Sequence, residues 1–170
     1  KIDLTAPVTV SNVLDEWNQA FTVQLTATDE MSGVLSTFYS INGSTFKEGT
    51  SFTIREDGIH EVSYHSVDEA GNVEEVKTEE VKVDATAPKT ISNIVNEWLG
   101  AEFTVELMAA DNVSGVATTY YSINGSEFAE GTSFTVSDEG INQISYYSVD
   151  NTGNVEEVQT EQVKIDLTAP

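Results

Sequence analysis

The stretch Tyr39-Ser-Ile-Asn-Gly43 decides the fold, and it recurs unchanged as Tyr121-Ser-Ile-Asn-Gly125. Aromatic and β-branched residues lead into Asn-Gly, a pair that favours the tight turn of a β-hairpin. Upstream, Phe21–Thr28 alternates between apolar and polar residues, as expected of a strand with one buried face. No useful length of the chain has the 3.6-residue apolar period of a helix. The sequence therefore predicts an all-β protein.

The chain contains two copies of one module. Between Phe21 and Val81, 39 of 61 positions are identical in the second copy, so the two copies should share one fold. The motif Lys-x-Asp-x-Thr-Ala-Pro begins at Lys1, Lys82 and Lys164. It stands before each copy of the module and once more after the second copy. Turn signals recur at the spacing of short strands. This pattern predicts two tandem immunoglobulin-like antiparallel β-sandwiches of about seven strands each.

The repeat also predicts the domain organisation. We expect a first module over residues 1–83, a second module over residues 84–165, and the start of the next repeat's linker at residues 166–170. Because the linker motif returns a third time, we expect the chain to be a piece of a longer array.

The composition excludes several classes of function. Against 29 acidic residues stand only 7 basic ones, which gives a formal net charge of −22. That charge repels nucleic acid and anionic lipid, and it favours a monomer that does not stick to other surfaces. The chain has no cysteine, which excludes disulfides and thiolate metal sites. No apolar run approaches the roughly 20 residues of a membrane helix, so no membrane insertion is expected.

Four motifs together resemble a family of bacterial Ig-like repeats. They are Asp-x-Thr-Ala-Pro, Asp-x-x-Ser-Gly-Val from Asp29 and Asp111, Tyr-Ser-Ile-Asn-Gly, and Ser-Val-Asp-x-x-Gly-Asn from Ser66 and Ser148. The resemblance covers essentially all of both copies. It implies tandem modules of secreted or wall-attached bacterial proteins, as in adhesin stalks or beside polysaccharide-degrading domains.

The resemblance implies a non-catalytic spacer in an extracellular or cell-surface protein, where it positions a terminal binding or catalytic domain. Its partners would be neighbouring repeats of the same chain. The alternative is an adhesion module that binds a carbohydrate, a host protein or a matrix protein through an exposed aromatic sheet face.

Acidic loop residues form the candidate metal site. In an immunoglobulin-type path, Asp3, Asp29 and Asp68 should converge at one end of the first module. Their counterparts in the second copy are Asp84, Asp111 and Asp150. Two interpretations stay open. Calcium takes six to eight oxygen ligands from flexible loops and would neutralise such a cluster. Alternatively, the aspartates cap their own turns, and then no cofactor is required.

The candidate ligand-binding residues are outward-facing aromatic side chains on neighbouring strands. They are Phe38 and His65 in the first module, and Tyr120 and Tyr147 in the second. Each couple is either a stabilising cross-strand pair or part of a recognition patch.

No catalytic constellation is visible, and we expect no enzyme. His60 and His65 become Asn142 and Tyr147 in the second copy, so neither histidine repeats. The adjacent carboxylates Glu74-Glu75 should point to opposite faces of a strand and are interpreted as a solvated edge. Two further residues, Trp17 and Trp98, either bury apolar area as a cap at one end of each core or offer a platform on which a sugar can stack.

Overall fold

The computed structural model describes residues 2–168, and it contains no helix among them. Two compact units divide the chain, the first ending at Ala85 and the second beginning at Thr86. The division lies two residues beyond the predicted boundary at 83/84. Of the predicted third linker, residues 169 and 170 lie outside the described residues, as does Lys1.

Within the described residues, each unit contains eight strands. The first sandwich consists of β1 (Val8–Ser11), β2 (Trp17–Asn18), β3 (Phe21–Thr28), β4 (Val34–Ile41), β5 (Lys47–Glu48), β6 (Ser51–Ile54), β7 (Gly58–Asp68) and β8 (Lys77–Val83). The second consists of β9 (Lys89–Ser92), β10 (Trp98–Leu99), β11 (Phe103–Ala110), β12 (Val116–Ile123), β13 (Ala129–Glu130), β14 (Ser133–Val136), β15 (Gly140–Asp150) and β16 (Gln159–Ile165).

The strands of each unit form two sheets, which together make a β-sandwich. In the first sandwich the three-stranded sheet has the order β1-β3-β6, and the five-stranded sheet has the order β2-β8-β7-β4-β5. The second sandwich repeats both sheets, as β9-β11-β14 and β10-β16-β15-β12-β13. This confirms the prediction of an all-β fold of two tandem sandwiches.

The sheets are antiparallel as predicted except for one parallel pair in each sandwich, and the eight strands agree with the predicted count of about seven. After β1 the chain crosses to the other sheet, where β2 pairs with β8 in parallel, Trp17 opposite Lys82 and Asn18 opposite Val83. The first predicted strand is therefore two short ones. The chain therefore runs in the same direction in β2 and in β8.

Alternating side chains build a separate core in each sandwich. In β3, for example, Val23 and Leu25 are buried between the exposed Thr22 and Gln24. Burying a side chain of this size contributes about 1.5–3 kcal/mol. The first core comprises Val23, Leu25, Ile54, Val62, Tyr64, Val81 and Val83. The second comprises Val105, Leu107, Phe134, Val136, Ile144, Tyr146, Val163 and Ile165. Every member of either core belongs to its own unit.

The predicted Asn-Gly turn follows β4. Asn42 and Gly43 both have positive φ, 50° and 70°, the left-handed conformation that such a turn requires and that these two residue types tolerate best. The Asn42 side chain reaches across to the next long strand, where its Oδ1 accepts a hydrogen bond of 2.9 Å from the Glu61 N–H.

The tryptophans are less buried than predicted. Trp17 is half-buried, and Trp98 is 57% exposed. Both lie in two-residue strands at the edge of the five-stranded sheet, where few neighbours cover a large side chain. The interpretation of Trp98 as a cap of the core is therefore wrong.

Candidate functional site

Three predicted acidic residues of the first sandwich lie together. Asp3 precedes β1, Asp29 follows β3, and Asp68 ends β7. One carboxylate oxygen from each lies within 4.8 Å of those of the other two. The immunoglobulin-type path thus places these three segments at one end of the sandwich, as the sequence predicted.

Backbone and side-chain donors already bind all three carboxylates. The Oδ2 atom of Asp29 accepts hydrogen bonds from the N–H groups of Met31, Ser32 and Gly33, at 3.0, 2.9 and 2.8 Å. Asp3 accepts from the Thr5 N–H at 3.0 Å, the Thr5 hydroxyl at 2.7 Å and the Ser32 N–H at 2.9 Å. The hydrogen bonds from Thr5 are the main reason that the pKa of Asp3 falls to about 2.

Asp68 is the buried member of the cluster. Desolvation acts to raise its pKa, but hydrogen bonds from Asn72 and Ala70 favour the charged form and lower the pKa overall. The Asn72 side chain donates to Asp68 Oδ2 at 2.7 Å and also to the carbonyls of Asp3 and Thr5. Asn72 therefore ties the residues before β1 to the end of β7. The turn interpretation describes real contacts, and calcium binding stays a prediction.

The second copy repeats this pattern within its own unit. Asp111 accepts from the N–H groups of Val113 and Gly115, at 3.0 and 2.7 Å. Asp150 accepts from the side chain of Asn154 at 2.6 Å, and its carboxylate lies within 4.8 Å of that of Asp111. The third predicted residue, Asp84, belongs to the first unit. There it is buried, and its N–H donates to the Asn18 carbonyl at 2.8 Å.

The predicted aromatic residues form a ring cluster on the outer face of each five-stranded sheet. Phe38 lies opposite His65 in the β4–β7 ladder, and the two rings stack with their centroids 5.4 Å apart. Phe46 packs edge-on against His65 at 4.8 Å and is 39% exposed. Phe46 was missing from the prediction, although its place three residues after the repeated Asn-Gly turn is a usable signal.

The second ring cluster has the same geometry. Tyr120 stacks on Tyr147 at 5.1 Å, and Phe128 packs edge-on against Tyr147 at 5.0 Å. Phe128 is 43% exposed. The Tyr120 hydroxyl lies 3.4 Å from a carboxylate oxygen of Glu130. Each cluster is held by mutual ring contacts and leaves one phenylalanine partly open to solvent.

The buried His60 has hydrogen-bond partners that its counterpart in the second sandwich also has. His60 is buried, its Nε2 donates to the Glu56 carbonyl at 2.7 Å, and its Nδ1 lies 3.2 Å from the Asn42 Nδ2. In the second sandwich Asn142 makes the equivalent two bonds, to Asp138 and Asn124. Because asparagine replaces histidine with the same hydrogen bonds, the position serves the fold.

A buried glutamate is the polar feature that the sequence did not reveal. Glu74 is 8% exposed, so the interpretation of Glu74-Glu75 as a solvated edge is wrong for Glu74 and fits only Glu75. Its carboxylate accepts from Thr9, Ser66 and Lys77. In the second sandwich Glu156 takes the same position and is also 8% exposed.

Comparison with known proteins gives a structural likeness and no activity. No family model and no curated protein matches the chain. Among solved structures it is similar to the fibronectin(III)-like modules of CbhA from Clostridium thermocellum. The TM-score is 0.48 and the identity 15%, over 93% of this chain and 95% of that one. The sheet order of the chain itself makes it a pair of β-sandwich modules. No helix in residues 2–168 has the length and apolar character needed to cross a membrane.

Proposed function

We propose that the two sandwiches are non-catalytic spacer modules of a bacterial extracellular or cell-surface protein. In this role they hold a terminal binding or catalytic domain at a distance, and their partners are neighbouring repeats of the same chain. The observation that carries the proposal is that the buried polar groups repeated in both copies are used to hold strands and turns. Glu74, Asp68 and Asn72, with Glu156, Asp150 and Asn154 in the second copy, all act in this way.

The shape and charge of each module suit such a spacer. The longest strand of each sandwich has 11 residues, which corresponds to about 36 Å of length at ~3.3 Å per residue. The net charge of −22 keeps neighbouring chains apart and discourages non-specific adhesion.

Single-molecule energy transfer tests the spacer proposal on the chain itself. Because the chain has no cysteine, introduced cysteines can be labelled selectively. One variant carries Ile2→Cys with Thr86→Cys across one sandwich, and another carries Ile2→Cys with Leu167→Cys across both. We expect a narrow distance distribution in each variant and a larger mean distance in the second.

A Gly/Ser chain of equal residue number is the control, because its end-to-end distance grows only as the square root of its length. A distribution as broad as that of the control would contradict the spacer proposal.

A second candidate function is binding of a neutral polysaccharide by the ring clusters. The partly exposed Phe46 and Phe128 favour it, because aromatic rings offer apolar surfaces on which the C–H face of a sugar can lie. The strong negative charge of the chain makes an uncharged glycan a better partner than an acidic one.

Retention on insoluble cellulose and chitin tests this second function. Phe128→Ala and Tyr147→Ala should abolish retention of the second module while its circular dichroism spectrum stays unchanged. Thr160→Ala is the matched control, since it removes a side chain from the last strand, β16, and leaves the rings intact. Equal retention of all three variants would remove the ring clusters as a glycan site. Retention on immobilised matrix protein alone would identify a protein partner and contradict the glycan proposal.

A further inference from the structure

The strand β1 is an edge strand whose outer side is covered by side chains. On the side facing away from β3, the Thr9 N–H donates to Glu74 Oε1 at 2.8 Å. The carbonyl of Thr9 accepts a hydrogen bond of 2.5 Å from the Lys77 ammonium group. Glu74 and Lys77 also pair with each other at 2.8 Å. Two side chains from beyond the end of β7 therefore satisfy both backbone groups of one edge residue.

The buried hydroxyl groups continue this network into the opposite sheet. Thr9 Oγ1 donates to Glu74 Oε2 at 2.5 Å and lies 2.7 Å from the Ser66 hydroxyl, which lies 2.8 Å from the Thr37 hydroxyl. An ionised carboxylate only accepts hydrogen bonds, so the Thr9 proton points to Glu74. The Ser66 proton must then point to Thr9 and the Thr37 proton to Ser66. The chain of donors runs from β4 through β7 to β1 and ends on one buried negative charge.

The donors around Glu74 compensate the desolvation of its buried charge. A buried carboxylate without hydrogen bonds is strongly unfavourable, and each missing donor leaves part of the desolvation cost uncompensated. Desolvation acts to raise the pKa of Glu74, but the hydrogen bonds from Lys77 and Thr9 outweigh it and lower the pKa. Separation of β1 from the sandwich would break the hydrogen bonds of Thr9 with Glu74 and with Lys77 at the same time.

The second sandwich has the same network without the lysine. Glu156 accepts from the Thr90 N–H at 2.7 Å, the Thr90 hydroxyl at 2.5 Å and the Ser148 N–H at 3.1 Å. Gln159 replaces the lysine, and its side chain donates instead to the Glu157 carbonyl at 3.0 Å. Within residues 2–168, no side chain donates to the carbonyl of Thr90.

We propose that this network is a clasp that holds the first strand of each sandwich onto the five-stranded sheet, and that Lys77 makes the clasp of the first sandwich the tighter one. The strand β9 then separates from its sandwich more readily than β1 does. The two modules share 39 of 61 positions between Phe21 and Val81, and among their differences the lysine-to-glutamine change sets how readily the first strand of each opens.

Amide hydrogen exchange on the full chain, followed residue by residue by NMR, tests the clasp. The Thr9 and Thr90 amides donate directly to the glutamates, so their exchange rates report its opening. Lys77→Gln should speed exchange at Thr9 by about five-fold, the scale of a partly exposed ion pair, and Gln159→Lys should slow exchange at Thr90 to a similar extent. Core amides such as those of Val62 and Ile144 are the control and should keep their rates.

The two substitutions make the test symmetrical, because each variant gives one sandwich the residue that the other sandwich has at this position. Unchanged rates at Thr9 and Thr90 in both variants would overturn the proposal. Equal acceleration at Thr9 and Val62 would also overturn it, since Lys77 would then act on the whole sandwich. These rates do not depend on whether the chain serves as a spacer, so the two proposals can fail separately.

Discussion

At the scale of single residues, two asparagines each combine a backbone and a side-chain role. Asn42 lies in the turn that follows β4, and Asn124 lies in the turn that follows β12. Both have positive φ, 50° and 53°. The side chain of Asn124 accepts from the Gln143 N–H at 2.8 Å and donates to Asn142 Oδ1 at 2.9 Å. One residue thus fixes the turn and ties it to the opposite strand.

Replacing Asn124 by alanine should therefore destabilise the second sandwich by about 2 kcal/mol. The variant loses two hydrogen bonds. It also places alanine in the left-handed region of backbone conformation, which asparagine tolerates better. The measurement is the free energy of unfolding in urea, with Asn112→Ala at an exposed loop position as the control. A loss no larger than that of the control would show that the turn does not need the asparagine.

Residues differ in how much of their role the sequence could reveal. Asn-Gly signals its turn through local conformational preference alone, so the hairpins were predictable. Glu74 and Glu75 are chemically identical, and only the path of β1 decides which of them becomes buried. The position of Phe46 after the Asn-Gly turn is a signal in the sequence, but its contact with His65 depends on how the loop after β4 folds back. Local signals thus predicted the strands and turns, whereas contacts between distant segments required the structure.

At the scale of elements, the two-residue strands β2 and β10 leave their tryptophans at a sheet edge. The variant Trp17→Phe retains Trp98 as its only tryptophan, and Trp98 is 57% exposed. We expect its fluorescence to be red-shifted and strongly quenched by acrylamide. Trp98→Phe, which retains the half-buried Trp17, should show weaker quenching. Equal, weak quenching in both variants would mean that β10 is covered in solution.

The loops at the end of the first sandwich carry the calcium prediction. Asp3, Asp29 and Asp68 bring three carboxylates within 4.8 Å of one another, which suits a hard cation with oxygen ligands. Millimolar calcium is expected to raise the melting temperature relative to a chelator, and Asp29→Asn should remove that rise. Glu75→Gln, which neutralises a carboxylate outside the cluster, is the control. The same melting temperature with calcium and with chelator would leave the aspartates as turn residues only.

At the scale of the whole molecule, the two cores share no residue. Residues 2–85 and 86–168 should therefore each fold alone, in one cooperative transition, when expressed separately. Circular dichroism during urea denaturation measures this. A fragment that shows no transition would mean that the division at Ala85 does not mark two independent domains.

One feature of the topology has a mechanical consequence. In each sandwich an early strand, β2 or β10, lies parallel to the last strand, β8 or β16. Tension applied to the two ends of a module draws such a pair in opposite directions along their common axis. The hydrogen bonds between them are then sheared simultaneously instead of being unzipped one after another. We therefore expect a module built in this way to resist a lengthwise pull better than the same hydrogen bonds would if they broke one at a time.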